Sequence, residues 1–378
     1  MAEPNIIRFY AEIIRRWDYP VEEYNLTTPD GYILTVFRIP HGRNETSSSR
    51  TKPVVFFMHG LEADCIMWIS NLPHQSGPFM FADSGFDVWL GNYRGNQYGK
   101  RHVNMTSSQH EFWKFSWDQM ADYDLPTMLK FVLSTTDAES LYHIGHSMGT
   151  LTAFAAFSED QELGKKIKRF YGLAPLITVG HIKGSLRTLA NFLDRFEWAV
   201  ERLGSDQFMP PSYLSKELAI YGCGSRWFEP ICSNTVFMMA GPESNQLNQT
   251  RMPVYMAHTP AGTSTMVVLH FSQMVHSNKF QRFDYGKKEN RARYGSDSAP
   301  LYNVTLTLME TPVSLYHGNN DWLADPEDVD DMVPLLQNCV GKVLLTDFNH
   351  MDFMWGLRAA DEVYLPIAKE ILNDISNQ

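Results

Sequence analysis

Ser147 stands between two glycines in Gly145-His146-Ser147-Met148-Gly149, directly after the mostly apolar run Leu141-Tyr142-His143-Ile144. A serine hydroxyl is a weak nucleophile until the backbone presents it stiffly and a base takes its proton. The Gly-x-Ser-x-Gly spacing meets the first need, because the glycines let a strand and a helix close around a sharp serine turn. Thr150 to Phe157, small or apolar throughout, predict the buried helix that follows such a turn. The chemistry implied is acyl transfer through a serine ester.

Such a serine needs an acid and a histidine in loops after later strands, in the chain order serine, acid, histidine. Asp321 follows Val313-Ser314-Leu315-Tyr316 through His317-Gly318-Asn319-Asn320 and is the expected acid. Asp325 is the next choice; Asp328, Asp330 and Asp331 fall further into a helix-like stretch. Of 13 histidines, His350 combines a preceding strand with a place near the C-terminus. It is expected to take the serine proton and return it to the leaving alcohol, with Asp321 holding the imidazole in the right tautomer. The developing oxyanion needs backbone N–H donors. Met148, after the serine, and Leu61, after His59-Gly60, are the candidates; His59 and His146 themselves read as structural.

The elements that must position these residues are legible as a rhythm. Asn5–Trp17 has helical spacing of apolar residues, and 21–39 reads as two strands around Thr28-Pro29-Asp30-Gly31. His41–Thr51 is polar and reads as a surface loop. From Pro53 onward, short apolar runs end in glycine-rich loops: 54–58, 86–90, 141–144 and 169–173, then 313–316 and 342–345. Parallel strands covered on both faces look like this. Between about 177 and 303 the rhythm stops and Met and aromatic residues abound, which predicts an insertion over the strand ends; 361–375 closes the chain as an amphipathic helix. The expected division is 1–176 and 304–378 as two parts of one core, with 177–303 inserted between them.

At 378 residues, 44% hydrophobic and 20% charged, the chain is long enough for a large α/β domain with an insertion. An aromatic share of 13% and 19 Met suggest an apolar surface or pocket as well as a core. Net charge is −11, from 43 acidic residues against 32 Lys plus Arg, which argues against a nucleic-acid partner and against a polybasic lipid anchor. No run of 18 apolar residues is long enough to span a membrane. Asn-x-Ser/Thr triplets at Asn25, Asn44, Asn104, Asn248 and Asn303 point to glycosylation in the secretory pathway, with a leader outside this numbering. Cys65, Cys223, Cys232 and Cys339 form no metal-like cluster with histidine, and no metal or other cofactor is expected. Cys223 and Cys232 are close enough to close a small loop; four buried thiols are the other reading.

At this point the chain resembles the acid lipase family, which includes gastric and lysosomal acid lipases. The resemblance runs from Tyr19-Pro20 to the final helix. It is carried by Asp30-Gly31-Tyr32-Ile33-Leu34, His59-Gly60-Leu61, 68–73, 87–92, Tyr123-Asp124-Leu125-Pro126, 260–264, Asn320-Asp321 through Asp325-Pro326, and His350 with Asp352-Phe353. It implies an α/β-hydrolase fold, a mostly parallel central sheet with helices on both faces plus an inserted helical cap and lid. It also implies catalytic Ser147, Asp321 and His350, oxyanion amides at Leu61 and Met148, and a Cys223–Cys232 disulfide inside a lid near 211–240. Met148 departs from the family, whose best-known members carry Gln there; the amide survives the change. The expected activity is hydrolysis of neutral-lipid esters, triacylglycerol or cholesteryl esters, at an oil–water or membrane interface and at acidic pH. The expected protein is a secreted or lysosomal monomer. Apolar residues of the lid region (Phe208, Tyr213, Ile220, Tyr221, Trp227, Phe228, Phe237, Met238 and Met239) are expected to cover the pocket in water. A soluble short-chain carboxylesterase or thioesterase, and a non-catalytic lipid carrier, are the alternatives.

Overall fold

A computed structural model describes residues 10–45, 52–203, 206–209, 239–306 and 311–376. Among these, nine strands form one sheet in the order β1-β2-β4-β3-β6-β7-β10-β11, with β5 pairing on β2. They are β1 (Glu22–Thr27), β2 (Tyr32–Ile39), β3 (Val54–Met58), β4 (Asp87–Leu90), β5 (Arg101–His102), β6 (Leu141–His146), β7 (Ile167–Leu173), β10 (Val313–Gly318) and β11 (Cys339–Leu345). The pair β8 (Gln207–Phe208) and β9 (Thr263–Ser264) stands apart from the sheet. Strands β4, β3, β6, β7, β10 and β11 run parallel, while β1 and β2 are antiparallel. Every residue of β3, β4, β6 and β10 is buried, as continuous apolar runs demand when helices cover both faces.

The β1–β2 hairpin turns at Thr28, whose hydroxyl accepts from Tyr32 N at 2.9 Å and donates to Asp30. The helix Met148–Glu159 after β6 is almost wholly buried and carries small residues, Gly149, Thr150, Thr152, Ala153, Ala155 and Ala156, where it meets the sheet. The terminal helix Leu365–Ser376 packs Ile367, Ala368 and Ile371 inward. Between β7 and β10 come the helices Gly184–Leu203, Met252–His258, Thr265–Ser277 and Lys287–Tyr294. Within 177–303 the strands β8 and β9 are two residues each, too short for any periodic signal.

This intervening stretch packs on the loops at the carboxyl ends of the strands. Lys183 N donates to Trp322 O at 2.8 Å, Ala261 N to Glu62 O at 2.7 Å, and His350 N to Ala240 O at 3.2 Å. Its Leu247, Met252, Tyr255 and Met274 belong to the same buried cluster as the sheet. Tyr255 stacks on Trp355, with ring centroids 4.5 Å apart. Among the described residues, no helix is long and apolar enough to cross a membrane.

Candidate active site

Ser147 sits in the turn between β6 and the helix Met148–Glu159 with φ 54° and ψ −121°. That backbone is strained for a residue with a Cβ and persists only where the surroundings fix it. Here its N–H donates to Leu173 O of β7 at 3.0 Å, and its carbonyl accepts from Thr150 N and Thr150 Oγ1 at 2.8 and 2.7 Å. A Cβ at Gly149 would come within 2.5 Å of Met58 O, and one at Gly60 within 2.9 Å of Ser147 Cβ. The two glycines are what let the loop after β3 pass beside the serine turn.

Three side chains distant along the chain meet there. Ser147 Oγ lies 2.8 Å from His350 Nε2, and His350 Nδ1 lies 3.0 and 2.9 Å from the two Asp321 carboxylate oxygens. All three are buried. Asp321 follows β10 and His350 follows β11, so adjacent parallel strands deliver them side by side. The Asp321 carboxylate also accepts from Leu323 N at 2.8 Å and Ala324 N at 2.9 Å, which fixes its plane. With Nδ1–H directed at a carboxylate, Nε2 is left to accept the serine proton. This arrangement is competent for nucleophilic acyl transfer.

Met148 is the first residue of its helix, so its N–H has no intrahelical acceptor and sits at the positive end of the dipole. Leu61 follows the His59-Gly60 turn, and its amide has no partner among the described residues. His59 shapes that turn. Its Nδ1–H donates to Gly60 O at 2.8 Å while Nε2 accepts from Tyr93 N at 3.2 Å, and burial pushes its pKa down to about 4.

His146 does more than shape its own turn. Its Nε2–H donates to the backbone carbonyl of His350 at 3.0 Å, and its ring lies 4.8 Å from the His350 ring. Burial, with His350 beside it, drives its pKa well below the ordinary value and keeps it neutral. Glu62 and Asp352 also escaped the sequence reading as part of the site. Glu62 adopts φ 55°, accepts from Gly262 N at 2.9 Å and lines a small cavity with Gly60, Met148 and Thr263. Burial pushes its carboxyl up to about 8. Asp352, likewise pushed up by burial, to about 6, accepts from Asn349 N and Ser244 Oγ at 2.8 Å each. Nothing in sequence spacing announces these contacts, although the His-x-Asp pattern marks the position of Asp352.

The other acids have structural duties. Asp325 caps the helix Pro326–Met332 and pairs with Lys183 at 2.5 Å, and Asp328 accepts from His181 N and Nδ1 at 3.0 Å each. Asn25, Asn44, Asn104 and Asn303 are exposed and Asn248 is half-buried. Cys65 and Cys339 are free thiols. Cys223, Cys232 and almost all of the expected lid, 211–240, lie outside the described residues; of the named lid residues, Phe208 is half-buried and Met239 exposed.

Comparison with known proteins agrees with this geometry. Residues 53–357 match the model of the alpha/beta hydrolase fold, and 10–72 match that of the partial alpha/beta-hydrolase lipase region. The chain is 46% identical to lipase lipl-1 of Caenorhabditis elegans, covering 100% of this chain and 94% of that one. It is 40% identical to human gastric triacylglycerol lipase over 99% of this chain and 93% of that one. Among solved structures, a putative lipase from Sulfolobus solfataricus superposes with TM-score 0.59 at 13% identity, covering 93% of this chain and 99% of that one. A soluble variant of monoglyceride lipase from Saccharomyces cerevisiae gives TM-score 0.57 at 14% identity, with 94% of each chain covered. These two likenesses speak for the fold alone. Identity of 40–46% along the whole chain speaks for more: the protein is a hydrolase and belongs to the lipase family of the α/β-hydrolase fold.

Proposed function

We propose that this lipase hydrolyses carboxylic esters of neutral lipids, triacylglycerol first among them, with Ser147 as nucleophile, His350 as general base and acid, and Asp321 as its carboxylate partner. The observation that carries the reading is the unbroken relay from Ser147 Oγ through His350 to Asp321, with 2.8 Å and 2.9 Å links. Ser147 attacks the ester carbonyl as His350 Nε2 takes its proton. The oxyanion gathers the amide protons of Leu61 and Met148. Collapse expels the alcohol, which receives the proton from His350 and leaves an acyl-Ser147 ester. Water, deprotonated by the same imidazole, then releases the fatty acid.

The remaining expectations belong to the same reading. The core comprises 1–176 and 304–378, and 177–303 forms a cap whose apolar lid, closed by a Cys223–Cys232 disulfide, opens at a lipid surface. The protein works as a glycosylated monomer, secreted or lysosomal, and exposed Asn25, Asn44, Asn104 and Asn303 are the better acceptors. Ser147→Ala tests the centre of the proposal. Hydrolysis of emulsified tributyrin falls by about 10³-fold or more, and a variant retaining a tenth of the parent rate refutes the assignment. Equal parent rates on dissolved and emulsified esters remove the lid and favour a soluble esterase.

A further inference from the structure

Two loops carry the acid and the base, and one carbonyl joins them. Ala240 O accepts from Trp322 N, one residue past Asp321, at 3.3 Å, and from His350 N itself at 3.2 Å. A carbonyl has two lone pairs and can satisfy both donors. Ala240 is buried and lies within the stretch between β7 and β10. The next residue, Gly241, has φ +128°, and a Cβ there would lie 2.0 Å from Asn320 O, the residue before the acid. Pro242 O then accepts from Asn349 Nδ2 at 3.1 Å, and Ser244 Oγ donates to Asp352 Oδ1 at 2.8 Å. Asn349 and Asp352 flank the histidine. Within five residues, this segment thus grips both sides of the acid–base pair.

We propose that Ala240–Ser244 is a positioning element of the reaction: the Ala240 carbonyl, held by Gly241 and Ser244, sets the spacing between the Asp321 loop and the His350 loop. This rests on Ser147, His350 and Asp321 being the reacting groups. The segment touches no reacting atom and acts through the two loops. The carboxylate–imidazole contact of 2.9 Å leaves little slack, and displacement by about 1 Å in such a site costs on the order of 10²-fold in rate. The tie of His181 to Asp328 bonds neither triad loop and serves docking alone.

The test uses the full-length protein and p-nitrophenyl acetate, a small dissolved ester whose binding needs little of the acyl pocket. For Gly241→Ala, kcat drops by roughly 30-fold or more while KM stays within about twofold. Ser244→Ala removes one hydroxyl and almost no volume, so it carries the test should Gly241→Ala not fold; its kcat falls by about 3- to 10-fold. In both variants the far-downfield proton resonance of the His350–Asp321 hydrogen bond shifts or broadens, a change that a purely structural role does not produce. His181→Ala, the docking control, stays within about twofold of the parent. The proposal is overturned by folded Gly241→Ala and Ser244→Ala variants with parental kcat and resonance, or by a His181→Ala loss as large as that of Ser244→Ala. Those results leave the triad reading intact as long as the parent activity vanishes in Ser147→Ala. Parent activity that persists in Ser147→Ala instead ends the triad reading and this proposal with it.

Discussion

Asp321 shows how much one carboxylate must do in this site. It receives Nδ1–H of His350 on its oxygens while two backbone amides pin it in place. Asp321→Asn keeps the shape but offers an NH₂ where a carboxylate stood, favouring the wrong imidazole tautomer; kcat falls by about 10⁴-fold, against a modest change in Tm. A variant within tenfold of the parent rules out the carboxylate's role. Glu62, at the edge of the oxyanion loop, makes a prediction about pH. Its folded pKa of about 8 exceeds the ordinary carboxyl value near 4.5 because burial penalises the charge, with Lys100 nearby opposing the shift. The neutral form therefore favours the fold fully below about 4.5, and that stability is lost as pH rises toward 8, since the unfolded chain ionises first. Glu62→Gln removes the slope: its Tm exceeds the parent's at pH 8 and matches it at pH 4. Equal differences at both pH values count against the buried acid. Ser147, Asp321 and His350 were readable because each follows its own strand in a recognisable run. Glu62, His146 and Ala240 were not, because their roles arise from contacts such as His146 with His350, 204 residues apart, which no local pattern encodes.

At the scale of elements, the parallel strands announced themselves as short apolar runs, and their alternation with helices indicated where ligands gather. Unbroken burial holds for β3, β4, β6 and β10 but not for β11 at the sheet edge. The two-residue strands β5, β8 and β9 left no periodicity to read. The sheet's N-terminal side is tied to the site by Arg94, from the loop after β4. Its guanidinium is buried between Asp124, at 2.6 Å and wholly buried, and Asp30 in the β1–β2 turn. The sequence shows Arg94, Asp30 and Asp124 as polar residues far apart along the chain and gives no sign that they converge. Asp124→Ala strips the guanidinium of its buried partner and costs about 3–5 kcal/mol, read as a lower urea midpoint at unchanged m-value. A loss under 1 kcal/mol, the ordinary worth of a surface pair, contradicts the assigned burial.

Over the whole molecule, one buried cluster runs from Tyr10 through the strands and the packed insertion residues to Ile371. A separate domain has its own core, whereas among the described residues the segment 177–303 shares many apolar side chains with the sheet. It keeps to itself two small clusters, one around Leu193 and Phe283 and one around Val254 and Ala257. Scanning calorimetry therefore shows a single endotherm with the insertion and sheet melting together; two resolved endotherms refute the shared core. The division expected from the sequence could not reveal this sharing, because apolar residues do not declare their partners. The order of the strands has one more consequence. Ser147 is made on the ribosome long before β11 and the loop after it, and a chain interrupted there has the proposed nucleophile without its proposed base. On the proposed assignment no ester is attacked before the residues through His350 are made and folded, and turnover in a cell extract reports only polypeptides that extend through His350.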